Sequence, residues 1–139
     1  MNISGSCRSF SIEHFKTDPD NWKSMVTDFH CEARKDNGDW VATKIRLDDF
    51  LGNRRGEEAG VFSYSVRWPE HKVSETMSKP RLEITSNGRP ILHGNLKVKE
   101  GDWPAAKLDL SEIILNNDGE LSFNEAAARE EDARRWAAY

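Results

Sequence analysis

The chain has 139 residues, with 20 basic and 24 acidic side chains giving a net charge of -4. A chain this long allows one domain, or two small units sharing a core, and buries roughly two thirds of its unfolded surface. The lack of a basic excess argues against nucleic acid or anionic membranes as partners, no apolar run approaches the roughly 20 residues of a membrane span, and Met1 to Phe10 lacks the apolar core of a secretory signal.

In chain order, Ser4 to Ile12, with Cys7 inside it, reads as a first strand and Val26 to Ala33, around Cys31, as its neighbour. Between them the Glu13 to Met25 stretch carries Thr17, Asp18, Pro19, Asp20 and Asn21, a turn or helix-start signal, and reads as an inserted loop. Lys35 to Asp39 is a hairpin turn, because Asn37-Gly38 tolerates the positive φ that a tight turn needs. Trp40, Ala42 and Lys44 then alternate with Val41, Thr43 and Ile45 as a strand. Asp48, or Ser111 in the second repeat, is placed to cap a short helical turn that sets Phe50 and Leu51, or Ile113 and Ile114, on the core. Arg54 to Ala59 is a solvated polar loop, and Ser65 to Lys72, containing Arg67, Trp68 and Pro69, is a linker. The second unit begins near Val73, with strands at Arg81 to Ile84 and Ile91 to Val98 and turns at Ser86 to Pro90 and Glu100 to Asp102. From Asn124 to Tyr139 the composition changes to Ala, Glu and Arg, the signature of a helix. Ser122 with Glu125 forms its expected capping box, Glu130 with Arg134 and Glu131 with Arg135 its i,i+4 pairs, and Ala133, Trp136 and Tyr139 a docking face.

One pattern occurs twice. Ile45-Arg46-Leu47-Asp48-Asp49-Phe50-Leu51-Gly52-Asn53 leads to Gly60-Val61-Phe62-Ser63-Tyr64, and Leu108-Asp109-Leu110-Ser111-Glu112-Ile113-Ile114-Leu115-Asn116 leads to Gly119-Glu120-Leu121-Ser122-Phe123. Two copies at this spacing mean paired supersecondary units rather than a solenoid, since two copies cannot cap a stack. Extended backwards, the pairing sets Cys7 opposite Met77 and Cys31 opposite Leu96, with a two-residue insertion near Asp36 to Gly38. The two cysteines permit one disulfide or two reduced thiols, and the sequence favours neither.

This twofold order resembles the cyanovirin-N homology family, small sugar-binding proteins of two tandem repeats. Each family repeat holds a Cys pair, a strand ending in Ile-x-Leu, a short helical turn and Asn-x-Asp-Gly-x-Leu-x-aromatic. The second repeat here keeps that pattern from Leu108 to Phe123, whereas in the first a polar loop separates Asn53 from Gly60. The resemblance covers about residues 2 to 124. It implies a mostly β, pseudo-symmetric fold in which the repeats exchange strands, with short helical turns and, outside the family pattern, the C-terminal helical extension. The expected organisation is a single domain, residues 1–139, comprising repeat one at about 1–64, the linker, repeat two at about 73–124 and the helix. It also implies a lectin for mannose-type oligosaccharides or glycoproteins, usually recognising Manα1-2Man ends, with no metal, cofactor or catalysis.

Carried over by the resemblance, the main sugar site comprises Asn2, Gly5, Ser6, Glu32, Arg34, Asn116, Asn117 and Asp118. Hydroxyls that both donate and accept suit carboxylate, amide and turn-backbone partners, although Asn-x-Asp-Gly also stabilises a tight turn without any ligand. A second site at the opposite end draws on Asn53, Glu75, Thr76, Lys97 and Lys99, but Arg54 and Arg55 replace the turn acid and Val98 stands where a hydroxyl belongs. This end is expected to be weak or silent, or to read something else through its lysines. The alternative function is a protein-interaction module that kept the scaffold and lost sugar binding. Most of the five tryptophans are expected to pack, with Trp40 and Trp103 as core anchors ahead of the repeated strands. His14, His30, His71 and His93 show no zinc spacing, Asn116 to Glu120 lacks the full ligand set of a calcium loop, and His30 and Cys31 point apart as strand neighbours. No signal or span being visible, the expected location is cytoplasmic or reached by unconventional export, as a monomer or a strand-swapped dimer hinged at Ser65 to Lys72.

Overall fold

The computed structural model describes residues 2–53, 62–64, 73–127 and 129–130. It is a mostly β molecule built from two matching sets of strands. In the first set, a helical turn α1 (Ile3–Ser6) leads into β1 (Cys7–Lys16), β2 (Met25–Arg34) and β3 (Trp40–Arg46), an antiparallel three-stranded sheet in the order β1-β2-β3. A 3-10 turn, Leu47–Asp49, passes the chain to the hairpin β4 (Leu51–Asn53) and β5 (Phe62–Tyr64). The second set repeats the order with a 3-10 turn Val73–Glu75, the sheet β6 (Met77–Ile84), β7 (Pro90–Leu96) and β8 (Ala105–Asp109), a 3-10 turn Leu110–Glu112, and the hairpin β9 (Ile114–Asn117) and β10 (Glu120–Phe123).

The hairpins are exchanged. The β9–β10 hairpin packs on β3 and on α1, where Asn2 bridges Leu115, while β5 packs on β8 and β4 on the Val73–Glu75 turn. The core follows from this. Ile3, Phe29, Leu47 and Leu51 from the first set and Val73, Leu92, Leu96, Leu110, Ile113 and Ile114 from the second are fully buried in one hydrophobic cluster. Phe50 and Phe123 stack at 4.4 Å between ring centroids, joining the first set to the hairpin of the second.

Strand registers refine the repeat. In the first sheet Arg8 pairs with Glu32 before a bulge and Ser11 with His30 after it, and in the second Ser78 pairs with Asn95 and Arg81 with His93 around the same bulge. Ser9 and Lys79 occupy the left-handed region inside the two bulges, with φ 59° and 53°. Cys31 therefore corresponds to Gly94 and not to Leu96, whose counterpart is Ala33. The expected insertion near Asp36 to Gly38 is absent, because the turns closed by Lys35 N–H to Asp39 and Val98 N–H to Asp102 have equal length. Where the first repeat holds two cysteines, the second lays Met77 over Gly94, whose added Cβ would sit 2.8 Å from the Met77 Cγ and Sδ. Cys7 and Cys31 are free, buried thiols. The hydrogen bond with Cys7, reinforced by burial, pushes the Cys31 thiol far up and keeps it protonated.

Several local expectations change. The stretch read as an insertion lengthens the β1–β2 hairpin, with β1 running to Lys16 and the turn folded back through Thr17 N–H to the Ser24 carbonyl. Asp48 does not cap its own turn: it is 3% exposed and accepts from Thr27 N (2.7 Å), Ser74 N (2.9 Å) and Ser74 Oγ (2.9 Å). In the second repeat the capping role falls to Asp109 and not to the expected Ser111, whose own N–H donates to the Asp109 carboxylate. The chain is helical at 125–127 and 129–130, and Asn124 rather than Ser122 supplies the cap by accepting from Ala127 N–H at 3.3 Å. Trp40 is half-buried and Trp103 is 37% exposed, so neither is a core anchor. The Arg54 to Ala59 loop, the Ser65 to Lys72 linker, His71, the Trp22 side chain, Trp136 and the remainder of the C-terminal helix lie outside the described residues.

The Asp48 carboxylate is the knot of an interior chain. Ser74 Oγ donates to Asp48, Thr27 Oγ1 lies 2.6 Å from Ser74 Oγ, and His14 Nδ1 lies 2.8 Å from Thr27 Oγ1. The chain ties β1 and β2 of the first repeat to the start of the second. Asp48→Ala orphans the buried Thr27 and Ser74 amides and is expected to destabilise by about 2 to 5 kcal/mol, read as a lower denaturant midpoint; Asp48→Asn, which keeps an acceptor, should lose less. Burial holds the His14 imidazole below its ordinary value of 6.5, against a smaller opposing pull from Asp48. The unfolded chain thus binds a proton that the folded chain resists, so stability is lost as pH falls through that ordinary value toward the depressed one. His14→Gln should show a smaller fall in urea midpoint than the parent between about pH 7.5 and about pH 5.5.

Candidate functional site

The site is assembled around one side chain. Asn116, near the end of β9, is 3% exposed. Its Nδ2 donates to the Arg34 carbonyl at 2.9 Å and to Ser6 Oγ at 3.1 Å, while its Oδ1 accepts from Gly119 N–H at 2.8 Å. Ser6 is fully buried and donates its own hydroxyl to the Asn2 carbonyl at 2.9 Å. The amide of Asn116 therefore binds α1, the end of β2 and its own turn together, and it is turned inward.

The next two side chains, Asn117 and Asp118, are turned outward. Asp118 and Gly119 both take left-handed conformations, φ 54° and 90°, forming the two-residue loop between paired Asn117 and Glu120. A Cβ at Gly119 would stand 2.8 Å from the side chains of Lys35 and Val41, so backbone sign and space both select glycine. Asp118 Oδ1 accepts from Asp36 N–H at 2.8 Å, which fixes the carboxylate against the β2–β3 turn. Asn117 donates to Ser122 Oγ. Asn2 takes Ser4 N–H on its Oδ1, and Gly5 is exposed with open space where a side chain would project.

Glu32 and Arg34 stand on the outer face of β2, opposite the buried Cys31 and Ala33. The bulge after Arg8 aims Ser9 Oγ at Glu32 Oε1, 3.0 Å away, and Arg8 Nε lies 3.4 Å from the same oxygen. Arg8 also covers the Trp40 ring at 3.9 Å from its centroid, with Arg34 at 5.8 Å. Arg8, Ser9 and Trp40 were not among the residues expected here. The strand pairings that would have found Arg8 and Trp40 are Arg8 with Glu32 and Arg34 with Trp40, which set these four on one surface, whereas Ser9 lies in the bulge and has no paired partner strand residue. Beyond Glu32 a shallow groove of about 490 Å³ runs along this face between Ser9 and Lys44, past His30 and Ala42.

Asn2, Ser6, Arg34 and Asn116 thus meet in one hydrogen-bonded cluster with Asp118 beside it, while Glu32 belongs to the adjoining outer face and its local partners are Arg8 and Ser9. Asp118 and Glu32 each have one carboxylate oxygen engaged. The surface offers acceptors, a guanidinium donor and fixed turn amides, the set that reads polyhydroxylated ligands.

The opposite end carries the same skeleton. Asn53 is 2% exposed, and its Nδ2 donates to the Lys97 carbonyl at 2.8 Å and to Thr76 Oγ1 at 3.2 Å, the counterparts of Arg34 and Ser6. Glu75 closes the 3-10 turn, Lys97 Nζ pairs with Glu100 at 2.9 Å, and Lys99 bridges Asp102 across the β7–β8 turn. Elsewhere, Glu13, Asp28 and His30 bring ligand atoms within 4.8 Å of one another. Asp28 is already bound by Arg46 Nε at 2.9 Å and Lys44 at 3.7 Å, which leaves little negative charge for a cation.

The CVNH domain profile matches residues 3–122. A cyanovirin-N homolog of Neurospora crassa is 26% identical over 90 residues, spanning 63% of this chain and 74% of that protein. The solution structure of a Gibberella zeae CVNH protein superposes with a TM-score of 0.66 at 28% identity, covering 88% of this chain and 96% of that one. A microvirin:mannobiose complex superposes with a TM-score of 0.62 at 26% identity, over 88% and 98% of the two chains. With its exchanged hairpins, paired sheets and family match over most of its length, the chain belongs to the CVNH family.

Proposed function

We propose that this protein is a lectin that binds mannose-containing glycans, with Manα1-2Man termini as its ligand, at the surface where residues 2–6 and the end of β2 meet the β9–β10 turn. The observation that carries this reading is the inward use of Asn116. By tying three backbone segments together it leaves Asn117, Asp118, Arg34 and Glu32 projecting around a junction that the rest of the fold holds rigid. Preorganised polar groups lose little conformational entropy on binding, so a neutral, hydroxyl-rich ligand gains affinity without a large apolar pocket. No metal is needed, because carboxylate acceptors and the guanidinium donor meet sugar hydroxyls directly. Membership of a lectin family and likeness to a protein solved with mannobiose support the same ligand class.

In labelled protein, Manα1-2Man is expected to shift the amides of Ser6, Glu32 and Asp118, whereas an N-acetylglucosamine oligomer should not. Glu32→Gln and Asp118→Asn each remove a charged acceptor while preserving shape and the left-handed turn, and each should weaken binding about tenfold. Unmoved amides at millimolar mannobiose would overturn the proposal.

A further inference from the structure

Each repeat places a tryptophan at or just before the start of its third strand, beside a cation at the end of its second: Arg34 lies 5.8 Å from the Trp40 ring centroid, and Lys97 lies 5.8 Å from that of Trp103. The two ends then diverge at a single equivalent position. In the first repeat the residue before the bulge is Arg8, which spreads over Trp40 at 3.9 Å and is anchored by Glu32 at 3.4 Å. In the second repeat that residue is Ser78, paired with Asn95, and its side chain is too short to cover an indole. Lys97 Nζ is the cation beside Trp103, which is 37% exposed, one of two large hydrophobic side chains left open to solvent among the described residues.

We infer that Trp103, with Lys97 and Glu100, forms a stacking platform for a pyranose ring at the second end of the molecule. The platform presupposes the lectin reading and adds to it a binding residue outside the set carried over from the family pattern. An exposed indole offers a flat, electron-rich face to the C–H bonds of a sugar, and burying that face against the ring removes apolar surface from water. The polar edge of the ring then meets both hydrogen-bonding characters at once. Lys97 Nζ supplies donors and the Glu100 carboxylate acceptors, the two being held 2.9 Å apart by their own ion pair. Glu100 is 94% exposed and Lys97 35% exposed, so both reach a ligand. The backbone that carries the indole is held in place, since Asn95 Nδ2 donates to the Trp103 carbonyl at 2.9 Å and Leu96 N–H to that of Pro104 at 3.0 Å. In the first repeat the same stacking surface is occupied by Arg8, so the two ends read a glycan by different means: a mainly polar surface at one and an aromatic plate at the other.

The test is a titration of the full chain, labelled with nitrogen-15, with Manα1-2Man, following the indole N–H of Trp103 and the amides of Lys97 and Glu100 alongside those of Ser6 and Asp118. Both sets are expected to shift. Trp103→Ala should weaken the response at Lys97 and Glu100 roughly tenfold and leave Ser6 and Asp118 unchanged, whereas Trp103→Phe, which keeps an aromatic face, should restore most of it. The intact main-site response in Trp103→Ala also reports that the variant is folded. If Ser6 and Asp118 shift while the Trp103 indole stays still, the platform is refuted and the lectin reading stands; if neither set shifts, both fail.

Discussion

The architecture depends on two asparagine side chains that stand in for backbone across an exchange. Asn116 and Asn53 each leave a hairpin belonging to one repeat and donate to a carbonyl at the end of the other repeat's second strand, Arg34 in one case and Lys97 in the other. A primary amide suits this task because it carries two donors and an acceptor in one plane, the complement of an unpaired peptide edge. At both sites the amide is buried, so failing to make these bonds would leave polar groups dry on both sides of the junction. The hydrophobic cluster gives the exchange its driving force, since Leu47, Leu51, Leu110 and Ile113 all bury in one core. Apolar contact alone is non-directional, however, and the asparagines specify how each hairpin seats.

On this shared skeleton the repeats have diverged at positions that are equivalent in space. Cys31 stands where the second repeat has Gly94, and Cys7 where it has Met77; the same interior volume is filled by two sulfurs in one half and by a flexible thioether lying over a bare backbone in the other. Asp48 faces inward and knits Thr27 to Ser74, while its counterpart Ser111 is satisfied locally by Asp109. Near the surface, Arg8 and Ser78 decide whether a tryptophan is covered. The two ends are thus built to one plan and carry different chemistry, which a duplicated fold permits because the junctions are mechanically alike and chemically independent.

The sequence made the repeat and the order of strands legible, because period-two alternation, Asn-Gly and Asp-Gly turns and the doubled Ile-x-Leu to Asn pattern each have a local physical cause, while the exchange was implied only by the family resemblance. It misplaced what depends on register. Pairing Cys31 with Leu96 required an insertion that does not exist, and the true offset emerges only when both bulges are seen to oppose two residues to one. Asp48 looked like a cap because a carboxylate at the start of a helical turn usually is one; its actual partners, Thr27 and Ser74, are distant in sequence and leave no local signal. Trp40 and Trp103 looked like core anchors because large aromatics usually bury, yet they fall on the outward phase of their chain segments. Ser6, Asn116 and Asp118 were placed together by resemblance, but that the two former turn inward and the latter outward is a matter of side-chain direction alone.

That direction bears on the proposed sugar site, which lies at an exchange junction. A turn in the left-handed region, such as Asp118-Gly119, would ordinarily be a mobile surface loop, and ordering it around a weak polar ligand would cost a large part of the binding free energy. Here the cost is met during folding, because Asn116 anchors the turn from beneath and Asp36 N–H fixes the Asp118 carboxylate from the side. The groups left over, one oxygen of Asp118, the exposed Asn117 and the outward face of β2, are then held on anchored backbone. The same reasoning applies to the Asn53 end, where the clamp holds Lys97 through its carbonyl while leaving its ammonium 5.8 Å from the Trp103 ring centroid. On the proposed reading, an interaction that looks purely architectural would therefore set the affinity available at the surface above it.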